Sequence, residues 1–125
     1  MSFSHTDLVK VKKIKGKGRG VFAQKDIEEG TIIEKVPLLV MPEEDIYDAF
    51  LADYVFEWGK DTVAIALGYG SLYNHSYEPN ARYQDVGTKA KEYVAVRDIK
   101  KGEEITINYN GDPADKTKMP FDVHD

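Results

Sequence analysis

A mainly β fold with one principal helix is the class that this 125-residue sequence predicts. Three observations carry the prediction. A short stretch near the start alternates apolar and charged residues, one segment has helical spacing, and a strand–turn–strand pattern occurs twice. The length suits a single domain with a buried core.

Each element follows from its local pattern. LVKVKKI (8–14) alternates apolar and charged residues, as a half-buried strand does. GKGRG (16–20) reads as a glycine-rich turn leading into the strand-like VFA. DIEEG (26–30) reads as another turn, and TIIEKVPLLVM (31–41) as one strand or two, interrupted at Pro37. Pro42 suits the first turn of a helix. Beyond it Ile46, Phe50, Leu51, Tyr54, Val55 and Trp58 recur at steps of about three to four, which predicts the main helix over 43–58. Glu43, Glu44 and Asp45 suit its N-terminus, and Gly59 its end. TVAIAL (62–67) is a buried-strand candidate, whereas GYGSLYNHS (68–76) has too many small and polar residues for a long element. EYVAVRDI (92–99) and EEITINY (103–109) predict two further strands, and the chain from Asn110 reads as irregular. FAQKDIEEGTII (22–33) aligns with VAVRDIKKGEEI (94–105) at an offset of 72. In both copies a strand ends, an Ile packs inward, and a Gly takes the turn before the next strand.

Composition excludes several chemistries. With no Cys, the chain can form no disulfide, thiolate zinc site or Cys nucleophile of its own. A net charge of −5 disfavours sequence-independent binding to nucleic acid and favours cationic partners such as Lys- and Arg-rich peptides. There is no 18-residue apolar run, and the start lacks a signal-peptide core. The expectation is a soluble intracellular protein without membrane contact, in the cytoplasm, or in a host nucleus if viral or an effector.

Individual motifs narrow the choice. GKGRG lacks the Lys-Ser/Thr ending of a phosphate loop, which leaves a plain turn or a backbone that approaches a ligand at Gly18 and Gly20. His75-Ser76 is no hydrolase dyad, because triad partners meet in space rather than in sequence. No metal-ligand spacing surrounds His75, so a loop histidine satisfied by backbone hydrogen bonds is its simplest reading. Taken alone, Tyr109 at a strand end reads as packing.

Together, GRGVFA, ALGYGSLYNHSYEPNA and GEEITINY resemble the SET-domain protein-lysine methyltransferases, in that order and spacing. The resemblance covers about residues 8–111, and the compact build looks most like minimal viral and bacterial members. It implies a single SET domain over 1–125, of β-clip type with a knot-like C-terminal crossing, and residues 112–125 as a tail and lid. It also implies methylation of a lysine in a basic protein, histone or histone-like, with S-adenosylmethionine as cofactor and no metal. Gly18, Arg19 and Gly20 match the segment lying along the cofactor, and Asn74 and His75 match the pair that holds its ends. Tyr109 matches the catalytic tyrosine beside the transferred methyl. Tyr54, Tyr69 and Tyr73 are candidates for the substrate channel. Ile107, on the strand face of Tyr109, stands where an aromatic restricts the number of methyls; an apolar side chain there implies di- or trimethylation. Asn108 replaces the family's usual Asp. The tail has no zinc-binding cysteines, so Met119, Pro120 and Phe121 are the apolar group available as a cofactor lid, with Phe121 over the adenine. The minimal relatives form homodimers, which implies one here. Two other readings stay open: a non-catalytic SET-like binding or assembly module, and a β-clip domain that binds sugars or nucleotides.

Overall fold

The computed structural model describes residues 6–16, 18–46 and 50–119, with the backbone alone at 50 and 51. Among the described residues nine strands form two sheets. They are β1 (Val9–Ile14), β2 (Gly18–Ala23), β3 (Ile32–Pro42), β4 (Val55–Glu57), β5 (Thr62–Ala66), β6 (Asn74–His75), β7 (Ala81–Val86), β8 (Ala90–Ala95) and β9 (Glu104–Ile107). Two 3-10 segments, η1 (Glu43–Ile46) and η2 (Phe50–Tyr54), stand between β3 and β4. The first sheet runs β1-β2-β9-β6 and the second β4-β5-β3-β8-β7. Val9, Val21, Ile27, Ile33, Tyr73, Tyr93, Ile99, Ile105 and Ile107 are buried together in one core cluster.

The long strand β3 is continuous through Pro37. Ile32 to Pro37 pair with β8, and Leu38 to Pro42 pair with β5. Pro37 stands where the partner changes. Leu38 N–H donates to the Lys89 carbonyl, while the Pro37 carbonyl accepts from Leu67 N–H. The donor that proline lacks therefore falls where the β5 ladder has yet to begin.

The helix expected over 43–58 is a correction. Among the described residues this stretch is two short 3-10 segments followed by a strand, β4, which covers the edge of β5 through Val55↔Ile65 and Glu57↔Val63. Steps of three fit a 3-10 turn as well as an α-helix. Val55 and Phe56 are β-branched and aromatic, and an unpaired strand edge offers them hydrogen bonds that a helix would have to supply internally. GRG is corrected too, because Gly18 to Gly20 open strand β2 rather than completing a turn.

The repeated segments pack against each other about a local pseudo-twofold. Ile27 and Ile99 exchange both backbone hydrogen bonds at 2.7 Å. Glu29 N–H donates to Asp98 Oδ1 and Lys101 N–H to Asp26 Oδ1, each at 2.8 Å. Gly30 N–H reaches the Ala95 carbonyl as Gly102 N–H reaches that of Ala23. Both glycines hold positive φ, 86° and 92°, which explains the Gly shared by the two copies.

The shortest strand positions the site. Asn74 and His75 of β6 run parallel to Thr106 and Ile107 of β9. Asn80 secures this edge with its side chain, accepting from Thr106 N–H (2.9 Å) and donating to the Glu104 carbonyl (2.8 Å).

Candidate functional site

Tyr109 follows β9 and is held at three points. Its N–H donates to His75 Nδ1 (2.9 Å), its hydroxyl donates to the Tyr73 carbonyl (2.6 Å), and its own carbonyl accepts from the Tyr83 hydroxyl (3.3 Å). The His75 ring lies edge-on to Tyr77 and tilted against Tyr109, with centroids 4.6 and 5.2 Å away. Because His75 Nδ1 accepts, the neutral ring carries its proton on Nε2. Burial at the hydroxyl, then the Glu104 carboxylate, then Tyr54 and Tyr83 push the Tyr109 hydroxyl up to about 12. At neutral pH it is therefore an uncharged hydroxyl.

Asn74, on β6, reaches both β9 and β2 with its side chain. Its amide donates to the Arg19 carbonyl (2.8 Å) and to Glu104 Oε2 (2.7 Å). A Cβ on Gly20 would lie 2.5 Å from Glu104 Oε2 and 3.0 Å from Asn74 Nδ2, so only glycine leaves room for this pair. With both amide hydrogens used inside the protein, Asn74 can offer a ligand its carbonyl oxygen.

Two cavities share Asp53, Tyr54, Ser71 and Tyr109 in their walls. One, about 370 Å³, is completed by Lys13, Gly18, Arg19, Leu72 and Asn74. The other, about 390 Å³, includes Phe56, Tyr73, Tyr83, Asp85, Lys91 and Ile107. Both volumes lie within the range of small-molecule sites, about 300–1,000 Å³. Tyr73 is buried, its ring stacks on Tyr93 at 4.7 Å, and its hydroxyl donates to Glu34 Oε1 (2.7 Å). Burial and then Glu34 hold its hydroxyl well above the usual range.

The structure thus brings Gly18, Arg19 and Asn74 to one cavity, Tyr73 and Ile107 to the other, and Tyr54 and Tyr109 to both. Gly20, His75 and Tyr69 are absent from both walls. Gly20 acts by its lack of bulk, His75 pins the Tyr109 backbone, and the Tyr69 N–H points to Glu34 Oε2 at 3.4 Å. Pro120 and Phe121 lie outside the described residues, while Met119 N–H donates to the Tyr77 hydroxyl (2.8 Å). Sequence reading missed Glu104, Asn80, Glu34, Tyr83 and the Lys91–Asp85 pair. Glu104 could have been found, because it precedes the Ile of the repeat yet has Ile32 as its counterpart. Among the described residues no group of three or more His, Cys, Asp or Glu side chains could hold a metal ion. None of their helices is long and apolar enough to cross a membrane.

A cavity beside a glycine-opened strand, joined through Tyr54 and Tyr109 to an aromatic cavity, suits a group-transfer enzyme with separate donor and acceptor sides. The SET-domain pattern matches residues 18–110, and the chain belongs to the SET-domain protein-lysine methyltransferases. It is 33% identical over 106 residues to a histone-lysine N-methyltransferase of Schizosaccharomyces pombe, H3 lysine-37 specific, covering 81% of this chain and 72% of that one. It is 35% identical over 119 residues to an H3 lysine-36 specific histone-lysine N-methyltransferase of Eremothecium gossypii, covering 83% of this chain. There it spans 17% of the relative's length. A crystal structure from Plasmodium falciparum, of a protein assigned as a histone methyltransferase, superposes with a TM-score of 0.68 at 32% identity. That match covers 85% of this chain and 94% of the other.

The cavity of Gly18, Arg19, Leu72 and Asn74 fits the cofactor of this family. Its size suits a small molecule, Gly18 and Arg19 of β2 line it, and the Asn74 carbonyl oxygen suits an ammonium group.

Proposed function

We propose that this chain methylates lysine side chains of histone H3, using S-adenosylmethionine bound between Gly18, Arg19, Leu72 and Asn74. The observation that carries the proposal is that both cavities are walled by Tyr109 and Tyr54. When bound, the cofactor supplies a methyl group on a positively charged sulfur. The remaining work falls to the protein. The Tyr109 hydroxyl and the Tyr73 carbonyl, 2.6 Å apart, present oxygens suited to an electron-poor carbon. The three tethers on Tyr109 fix that geometry before substrate arrives. Tyr54, Phe56, Tyr73, Tyr83 and Ile107 offer a lysine stem apolar surface. Such walls disfavour the ammonium form, which free lysine holds up to a pKa of about 10.4. Asp53 and Glu57 line the same cavity and suit a basic tail.

Two relatives named for neighbouring lysines of H3 support that histone as substrate. A histone substrate places the enzyme in the nucleus. Ile107, buried and without a polar group, supports di- or trimethylation. Mass spectrometry of a saturated reaction ending at monomethyl-lysine would overturn that part. Phe121 belongs to the proposal as a lid residue, so Phe121→Ala is expected to weaken cofactor binding. Pairing into a homodimer rests on the resemblance to minimal relatives, and light scattering at assay concentration tests it.

The central test incubates the protein with labelled S-adenosylmethionine and purified core histones, beside Tyr109→Phe. Wild type is expected to label H3, and the variant to lose about 100-fold in turnover while retaining cofactor affinity. No cofactor binding by calorimetry would sink the proposal. Cofactor binding without transfer to any histone would favour the non-catalytic module instead.

A further inference from the structure

The substrate-side cavity contains a cation that the proposed reaction does not use. Lys91 lies on β8 with 3% of its side chain exposed, and its ammonium is 2.6 Å from Asp85 Oδ1. The same nitrogen stands 4.5 Å from the ring centroids of Phe56 and Tyr83 and 5.3 Å from that of Trp58. Three aromatic faces and one carboxylate compensate a charge that would otherwise be costly to bury. Lys91, Asp85, Phe56 and Tyr83 all line the cavity that reaches Tyr109.

The other titratable groups of this cavity are acidic or neutral. Asp53 and Tyr54 come from η2, Glu57 from β4, Tyr73 from the segment before β6, Tyr83 and Asp85 from β7, and Tyr109 from the segment after β9. Without Lys91 the wall would hold three carboxylates and no cation. A target lysine enters as an ammonium and must lose a proton before its nitrogen can attack. A free carboxylate facing it would stabilise the charged form.

We infer that Lys91 is a positioning residue that withholds the Asp85 carboxylate from the incoming amine, leaving that amine free to deprotonate near neutral pH. The inference rests on the methyltransferase reading. Asp85 is 56% exposed, so water can solvate it once the ammonium is removed, and Lys91→Met is expected to fold. Calorimetry with the cofactor checks this, because Lys91 is not part of that cavity.

The test compares wild type, Lys91→Met and Lys91→Met/Asp85→Asn on an H3-tail peptide across pH. Peptide affinity is also measured without methyl transfer, by fluorescence anisotropy. In the single variant the pH–rate profile is expected to move up by about one unit, lowering turnover at neutral pH by about tenfold. The peptide should bind more tightly. The double variant should bring profile and affinity back toward wild type, because the one carboxylate that the loss of Lys91 had freed is gone. An unshifted profile in the single variant, or a double variant no better than the single, would overturn the inference and make Lys91 a packing residue. If the single variant does not fold, the double variant still decides the matter. An uncharged pair of similar volume is tolerated where half an ion pair is not, and a shifted profile in the double variant also overturns the inference. Absence of transfer by wild type removes the methyltransferase reading and this inference with it. Active wild type with an unshifted single variant removes this inference alone.

Discussion

Asn108 stands where the family usually carries Asp, and its surroundings explain the exchange. It is buried, its amide donates to the carbonyls of Asp115 (2.5 Å) and Pro113 (3.5 Å), and its Oδ1 accepts from Asn110 N–H. A carboxylate would face two carbonyls with nothing to donate. The amide thus fastens residues 113–115 against the end of β9. Asn108→Asp is expected to cost about 1–3 kcal/mol in chemical denaturation at neutral pH. The loss should shrink in acid. A carboxyl facing carbonyls has a raised folded pKa, so its stabilising protonated form prevails below the unfolded value and is lost as pH rises. A second residue-scale test is Gly20→Ala, which pushes Glu104 and Asn74 apart. Cofactor affinity measured by calorimetry should fall by about tenfold or more, equal to about 1.4 kcal/mol. At this scale His75 was legible only in part. Its simplest reading, a loop histidine bonded to backbone, foresaw a backbone contact, but the residue lies in strand β6 and its ring accepts from Tyr109 N–H. Which backbone group it would meet was not legible, because 34 positions separate the two.

Among elements, the repeat shows how far local pattern reaches. Strand, Asp-Ile and Gly recur because each copy builds the same corner, and those preferences are local. That the copies would clasp each other, Asp26 to Lys101 and Asp98 to Glu29, is a tertiary fact. Asp26→Ala and Asp98→Ala each remove one equivalent hydrogen bond. Urea unfolding should find losses of about 1 kcal/mol for each, alike within error. Markedly unequal losses would mean that the pseudo-symmetry is geometric but not energetic. The stretch 43–58 failed as a helix for the converse reason. Its apolar spacing suited a helical face, yet the open edge of β5 recruits Val55 to Glu57 as a strand. Propensity yields to a partner that the local sequence does not contain.

For the whole molecule, three tyrosines couple the site to stability at high pH. Burial is the leading cause that raises Tyr73, Tyr93 and Tyr109, and Glu34 follows for the first two. A raised tyrosine contributes stability that is complete below its unfolded value of 10.0 and is lost as pH climbs; for Tyr109 the loss runs through about 12. Spectrophotometric titration should therefore show these three ionising late and together with loss of the fold, and Tyr73→Phe should remove part of that alkaline transition. An ordinary, reversible titration of all tyrosines near 10 with the fold intact would contradict it. The sequence by itself determined the β class, most strands, the corner repeat and the family motifs, because each is written in neighbours or in short fixed spacings. Tertiary structure decided which residues meet: β6 beside β9, Asn74 on Glu104, Lys91 among three aromatic rings, and two cavities sharing Tyr109. Those contacts join positions far apart in the chain, where burial and hydrogen-bond satisfaction over the whole core, rather than local preference, select the partner.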